Sequence, residues 1–155
     1  MTAPPVQALL AEDNSADAEL ILASLDAEHL ADQVHVARDG VEALDFLFCR
    51  GPHAARACAP PPRLAILDVK LPKVGGLEVL RELKADPRTR AIPVVLLTSS
   101  NIDRDVVEAY RLGANSYIQK PVDFGRFRET VRRLGVYWLT MNQPPPAGAF
   151  TAEGA

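Results

Sequence analysis

Short apolar runs alternate five times with segments of helical period along this chain, and that alternation sharply restricts the folds open to it. The first run, VQALLAED over residues 6–13, precedes NSADAELILASLDAEHL, where Ala18, Ile21, Leu22 and Leu25 recur at helical spacing behind a capping Asn14 or Ser15. QVHVA is a second strand, and DGVEALDFLF sets Val41, Leu44, Leu47 and Phe48 on one face of a second helix. Residues 51–63 carry four prolines and read as a loop. The third strand is LAIL, residues 64–67; LEVLRELKADP is a helix that stops before Pro87; IPVVLLT is the fourth strand; DRDVVEAYRLG is a helix closed by Gly113; NSYIQ is the fifth strand. A last helix spans Asp123 to Met141.

Strands separated by helices of this length imply right-handed βαβ crossovers and a parallel sheet covered on both faces. The expected fold is α/β, a doubly wound five-stranded parallel sheet of flavodoxin type with strand order 2-1-3-4-5. A chain of 155 residues with 48% hydrophobic content supports one domain, expected over residues 6–141, with a flexible N-terminus at 1–5 and a disordered tail at 142–155. A formal charge of −3 with 17 scattered basic residues gives no footprint for nucleic acid. No membrane span or signal-peptide layout is visible, so a cytoplasmic protein is expected. Cys49 and Cys58 read as free thiols, and His29, His35 and His53 show no pattern suited to zinc.

The stretch LAILDVKLPKVGG asks why a strand buried on both faces should end in a carboxylate. In the expected strand order the first and third strands are neighbours about 4.8 Å apart. Glu12 and Asp13 at the end of one and Asp68 at the end of the other therefore meet at the topological switch point, where ligands bind. Each feature alone has an ordinary reading, a solvated helix cap or a strand stop at the surface; together they call for a cation, and a hard one such as Mg²⁺ suits carboxylates, water and phosphate oxygens. Thr98-Ser99-Ser100 after the fourth strand and Lys120-Pro121 after the fifth bring a hydroxyl and an ammonium to the same edge, chemistry that matches a phosphoryl group. The backbone N–H groups after Asp68 and Thr98, those of Val69 and Ser99, add donors.

These residues resemble the receiver domain of two-component response regulators, of which the chemotaxis regulator is the minimal example. The resemblance covers about residues 6–135. It implies that Asp68 is the phosphoacceptor; that Asp13 and Asp68 bind Mg²⁺ directly, Glu12 through water and Lys70 through its carbonyl; that Lys120 binds phosphate; and that Thr98 and Tyr117 are the switch hydroxyl and switch aromatic. It also implies a cis bond before Pro121. On phosphorylation Thr98 is expected to move toward the new oxygens and Tyr117 to fill the space left behind. Lys70 and Ser100 are expected to flank the attack path and tune the lifetime. The proline-bearing insert, the run LPKVGGLEVLRELKADPRTRAIPVVLLTSS and the ending VYWLTMNQPP further resemble the small regulators serving phytochrome-type histidine kinases. Gly75 departs from their usual aspartate, and a looser loop is expected there. With no effector domain after residue 141, output is expected through protein contacts or by draining phosphate from the kinase.

The last helix, at about 28 Å, would overshoot strands of about 17 Å. Leu134, Tyr137, Trp138 and Met141 form an aromatic-rich stripe on the overshoot, of the residue types enriched in interface cores, and predict a two-fold homodimer; the alternative is a helix that bends and buries the stripe on its own domain. Two other functions fit the same sheet. An aspartyl phosphohydrolase would want a second carboxylate where Lys70 stands, and a pure interaction module would not need Glu12, Asp13, Asp68, Thr98 and Lys120 together.

Overall fold

In the computed structural model, which describes residues 6–56, 60–146 and 149, the apolar runs become strands β1 (Ala8–Ala11), β2 (Val34–Ala37), β3 (Leu64–Leu67), β4 (Val94–Thr98) and β5 (Ser116–Gln119). They form one parallel sheet in the order β2-β1-β3-β4-β5, with Ala11 in register with Leu67 and Leu67 with Leu96. β1, β3 and β4 are buried along their whole length, as the central strands of a sheet covered on both faces must be. The expected flavodoxin-like order is the observed one.

Helices α1 (Ser15–Asp26), α2 (Gly40–Leu47), α3 (Gly76–Ala85), α4 (Asp103–Arg111) and α5 (Phe124–Val136) divide between the two faces. One core layer gathers Leu9, Phe46, Leu80, Leu83 and Leu96 beneath α2 and α3; the other gathers Leu10, Ile21, Leu25, Ile66 and Val131 beneath α1 and α5. Asn14 caps α1 by accepting from the Asp17 N–H at 2.9 Å. Gly113, with φ of 105°, follows α4 in the left-handed conformation that glycine tolerates.

Several local expectations change. The buried face of α2 is Ala43, Leu44, Phe46 and Leu47; Val41 is 41% exposed, and Phe48 leaves the helix as its C-cap. The buried face begins at Gly40, which lies so close to the loop after β3 that a Cβ would collide with the Val74 carbonyl. The stretch after α2 is not all loop: Gly51–Arg56 forms a 3-10 helix, where Pro52 sits near the start and removes no needed donor. No cis peptide bond occurs among the described residues, so Lys120–Pro121 is trans; the isomers of an X–Pro bond differ by only about 0.5–1 kcal/mol, and packing decides between them. The expected flexible start at 1–5 and most of the expected disordered tail lie outside the described residues, but Asn142 is tied down, its carbonyl accepting from Arg63 at 2.7 Å.

The last helix does reach Met141, but its final stretch, Tyr137–Met141, is a π-turn closed by the Asn142 N–H on the Tyr137 carbonyl at 2.7 Å. The expected stripe divides between two sides of the helix. Leu139 is buried, Leu134 and Trp138 lie half-buried against the α1/α5 layer, and Tyr137 and Met141 remain 47% and 68% exposed.

Two glycines brace the loop that follows β3. A Cβ on Gly40 would sit 1.9 Å from the Val74 carbonyl oxygen, and one on Gly76 would sit 1.9 Å from that of Asp68. Gly75, by contrast, caps α3 with no side-chain hydrogen bond and has ordinary space, its nearest neighbour being the Val69 oxygen at 3.7 Å. The missing aspartate does not slacken the loop, because Gly76 donates to the Val69 carbonyl at 2.9 Å and Gly40 to that of Pro72 at 3.1 Å. Gly76→Ala is expected to cost about 3 kcal/mol in chemical denaturation, since backbone rather than a flexible side chain must move. Gly75→Ala, as the control, should cost about 1 kcal/mol or less, the loss of a tolerated N-cap rather than a backbone collision.

Candidate phosphoacceptor site

The carboxyl ends of β1, β3, β4 and β5 open onto one cleft of about 630 Å³, lined by Glu12, Asp13, Asp17, Asp68, Lys70, Thr98, Ser99 and Lys120 among others. Sheet register delivers these groups: the Asp68 N–H donates to the Ala11 carbonyl at 3.1 Å, the Glu12 N–H to that of Ala37 at 3.0 Å and the Lys120 N–H to that of Thr98 at 2.7 Å. Residues from four strands are thereby fixed by ladder bonds rather than by loop conformation.

Asp68 is buried, and its two oxygens have separate partners. Oδ1 accepts from the Thr98 hydroxyl at 2.8 Å and the Lys70 N–H at 3.1 Å, while Oδ2 accepts from Lys120 Nζ at 2.8 Å. Lys120 also donates to Asp17 at 2.8 Å and to Glu12. One ammonium thus serves three carboxylates. Asp13 is exposed beside them at the cleft rim. Sequence reasoning missed Asp17. Its signal was its place three residues after the Asn14 cap, where an acid is expected to support the helix end; here its side chain turns to Lys120 instead.

The charge balance shows in the proton affinities. Burial pushes the Glu12 carboxyl up to about 7 against the pull of Lys120. Burial also raises Asp68, but the hydrogen bonds from Lys120 and Thr98 outweigh it and hold Asp68 below the ordinary carboxylate range. Lys120 is disfavoured by burial yet raised overall by Asp17, Asp68 and Glu12. An acid with a raised folded-state pKa stabilises the fold fully below its unfolded value and loses that contribution as pH rises through the folded one. Without divalent metal, Glu12 should therefore make the urea midpoint fall between about pH 4.5 and 7. Asp68 has the opposite sign, its contribution being present above the ordinary carboxylate value and lost on further acidification. Saturating Mg²⁺ should flatten the Glu12 decline, and a midpoint that rises over that window in chelator would contradict this electrostatic picture.

The donor set fits a hard divalent ion: three acidic side chains expected as ligands, Glu12, Asp13 and Asp68, line one cleft with Lys70, and negative charge exceeds the single ammonium that meets it. Thr98 and Tyr117, expected as switch residues, lie on the neighbouring strands β4 and β5. Tyr117 is half-buried beside the α2/α3 core layer, and its hydroxyl donates to the Ser100 carbonyl at 2.9 Å, just beyond Thr98. Ser100, expected beside the attack path, does not line the cleft. It is buried, its N–H donates to Thr98 Oγ1 at 3.3 Å, and its hydroxyl turns away to Asp105 at 2.7 Å, near the start of α4. Ser99 and Lys70 line the cleft.

Comparison with known proteins agrees with this geometry. A family model described as the response regulator receiver domain matches residues 8–132. The chain is 41% identical to the probable methanogenesis regulatory protein FilR2 of Methanothrix harundinacea over 91% of this chain and 88% of that one. It is 35% identical to the response regulator Rcp1 of Synechocystis over 93% and 96%, and the Mn²⁺-bound form of Rcp1 superimposes with a TM-score of 0.83, covering 92% of this chain and 100% of that one. The phosphorylated cyanobacterial phytochrome response regulator RcpA superimposes with a TM-score of 0.84 at 36% identity, covering 92% of this chain and 100% of that one.

Proposed function

The chain belongs to the response regulator receiver domain family, and from that membership we propose that it accepts a phosphoryl group on Asp68 from the phosphohistidine of a sensor histidine kinase. The observation that carries the reading is the Asp68 carboxylate itself, buried at the convergence of β1, β3, β4 and β5 and held at both oxygens.

In the transfer an Asp68 oxygen attacks phosphorus, the P–N bond of the donor breaks, and its electron pair returns to the imidazole. Positioning and charge neutralisation make up most of the catalysis of such a step. Lys120 is placed to move from Asp68 Oδ2 onto a phosphoryl oxygen, and the Thr98 hydroxyl to exchange Oδ1 for another. The N–H groups of Val69 and Ser99 are further donors for that group. Asp13 and Asp68 directly, Glu12 through water and Lys70 through its carbonyl would hold Mg²⁺, which supplies further neutralisation of the equatorial oxygens. Thr98 drawn toward the phosphoryl group leaves Tyr117 free to settle further inward, changing the surface of α4, β5 and α5. The chain is thus a phosphoacceptor switch that assists its own phosphorylation and dephosphorylation, with Lys70 flanking the attack path. A phytochrome-type kinase is the partner we favour, on the likeness to RcpA and Rcp1. Output runs through protein contacts or by drawing phosphate from the kinase.

Incubation with acetyl phosphate, and with candidate kinases in light and dark, tests this reading. A Mg²⁺-dependent, base-labile adduct approaching one per chain is expected. No adduct from any donor would leave an interaction module that never gains phosphate.

We also infer a two-fold homodimer through the outer face of the last helix, formed by Leu134, Tyr137, Trp138 and Met141. The support is the exposure of Tyr137 and Met141 beyond the sheet, next to the half-buried Leu134 and Trp138. Replacing Tyr137 and Met141 together by Ala should shift sedimentation from dimer to monomer at micromolar concentration with the thermal midpoint retained. A dimer that persists unchanged would remove this assignment.

A further inference from the structure

Away from the carboxylate cleft, three ligand-type side chains from three successive elements converge beside the sheet edge. His35 lies in the edge strand β2, Glu42 in α2 and His53 in the 3-10 helix Gly51–Arg56; each offers a ligand atom, and those atoms all lie within 4.8 Å of one another. Nothing in the phosphoryl chemistry uses them.

The convergence is built into the backbone. Cys49 and Gly51 both take left-handed conformations with φ of 54°, the Arg50 N–H donates to the Asp45 carbonyl at 2.8 Å, and the His53 N–H donates to the Arg50 carbonyl at 3.0 Å. The chain thereby folds back on α2. His35 stacks on Phe46 with ring centroids 4.5 Å apart, and His53 meets His35 edge-on at 4.9 Å and Phe46 at 5.3 Å. Glu42 is held from the other side, its Oε2 accepting from the Arg38 N–H at 3.1 Å while Oε1 stands 3.4 Å from His35 Nε2. That Nε2 is buried and has no hydrogen-bond partner, an unusual state for a ring nitrogen. Burial, reinforced by His53, holds the His35 imidazole below its ordinary range.

We propose that His35, Glu42 and His53 form a binding site for a divalent transition ion of the Zn²⁺ class, separate from the hard-cation site at Asp68. Two imidazoles and a carboxylate are a donor set that zinc takes with a fourth position left to water, whereas Mg²⁺ prefers oxygen throughout and does not compete. Bonds of about 2.0–2.1 Å in a tetrahedron put ligand atoms about 3.3 Å apart. Closure from the observed spacing takes side-chain torsion in the half-buried His53 and in Glu42, whose side chain is 37% exposed. The neighbouring cation does not obstruct it: Arg56 is engaged over the Phe46 ring at 3.7 Å and with the Phe46 carbonyl at 2.8 Å. A bound ion would pin the 3-10 helix to β2 and α2.

The test is a Co²⁺ titration of the full chain, with its cysteines alkylated and Mg²⁺ in excess, followed by displacement with Zn²⁺. One Co²⁺ per chain is expected, with the visible absorption of a tetrahedral site, displaced by one Zn²⁺. His53→Ala should weaken it at least about tenfold, and Glu42→Gln should weaken it as well. Asp13→Asn should leave it unchanged. Zn²⁺ should raise the thermal midpoint of the parent chain but not of His53→Ala, a variant chosen because His53 meets Phe46 only edge-on whereas His35 stacks face to face on it from within β2. Absence of tetrahedral bands, or bands equally strong in His53→Ala, would overturn the assignment.

Discussion

Asp68→Asn is expected to lose phosphoryl labelling completely while keeping a folded sheet. The amide oxygen still accepts from Thr98 and the Lys70 N–H, which in the parent lie 2.8 and 3.1 Å away, so the local geometry has no reason to collapse. What disappears is the anionic nucleophile. Stability should respond little, because Lys120 keeps Glu12 and Asp17 as partners and the crowd of carboxylates around it is reduced by one. In chelator the change should stay within about 1 kcal/mol and favour the parent, because the hydrogen bonds from Lys120 and Thr98 that hold Asp68 below the ordinary carboxylate range stabilise its charged form in the folded chain. Label incorporated stoichiometrically into the variant would place the acceptor elsewhere and dismantle the reading of the cleft.

Lys120→Met should behave in the opposite way. Its ammonium is the shared partner of three carboxylates, its side chain is only 8% exposed, and removing one side of a buried ion cluster leaves charge uncompensated. In chelator the unfolding free energy should fall by about 3 kcal/mol, toward the lower end for such losses because Glu12 is already poised to take up a proton. Mg²⁺ should recover more stability in the variant than in the parent. Labelling should slow by about 10²-fold or more, since a preorganised donor to the phosphoryl oxygens is gone. A variant as stable as the parent in chelator would mean the three carboxylates were neutral or solvated after all. Together the two substitutions separate nucleophile from counter-ion: one removes chemistry and spares stability, the other removes both.

Much of this was legible before any coordinates. The alternation of apolar runs and helical periods set the strand order, and strand order alone brought residues 12, 13, 68, 98 and 120 to one edge, because in a parallel sheet every strand ends on the same side. Asp68 was visible because a carboxylate following LAIL is costly unless something meets it. Three features were not legible. Asp17 was not singled out, since an acid in the first turn of a helix is ordinary, and only the reach of Lys120 across the cleft reveals its partner. The α2 face begins at Gly40, a residue with no side chain to register in the apolar period, and so Val41 was placed on the wrong side. His35 and His53 stand 18 residues apart with nothing between them that resembles a ligand motif; their meeting follows from left-handed turns at Cys49 and Gly51.

The π-turn at Tyr137–Met141 has a consequence for how such chains diverge. One residue in excess of an α-turn advances the angular phase of everything after it by about 100°. Within this turn Leu139 faces inward and Met141 outward. An insertion or deletion of one amino acid at this place would therefore exchange the outward-facing side chains wholesale while leaving the sheet, the acidic pocket and their chemistry untouched. The face proposed for pairing is in this way mechanically decoupled from the acidic cleft.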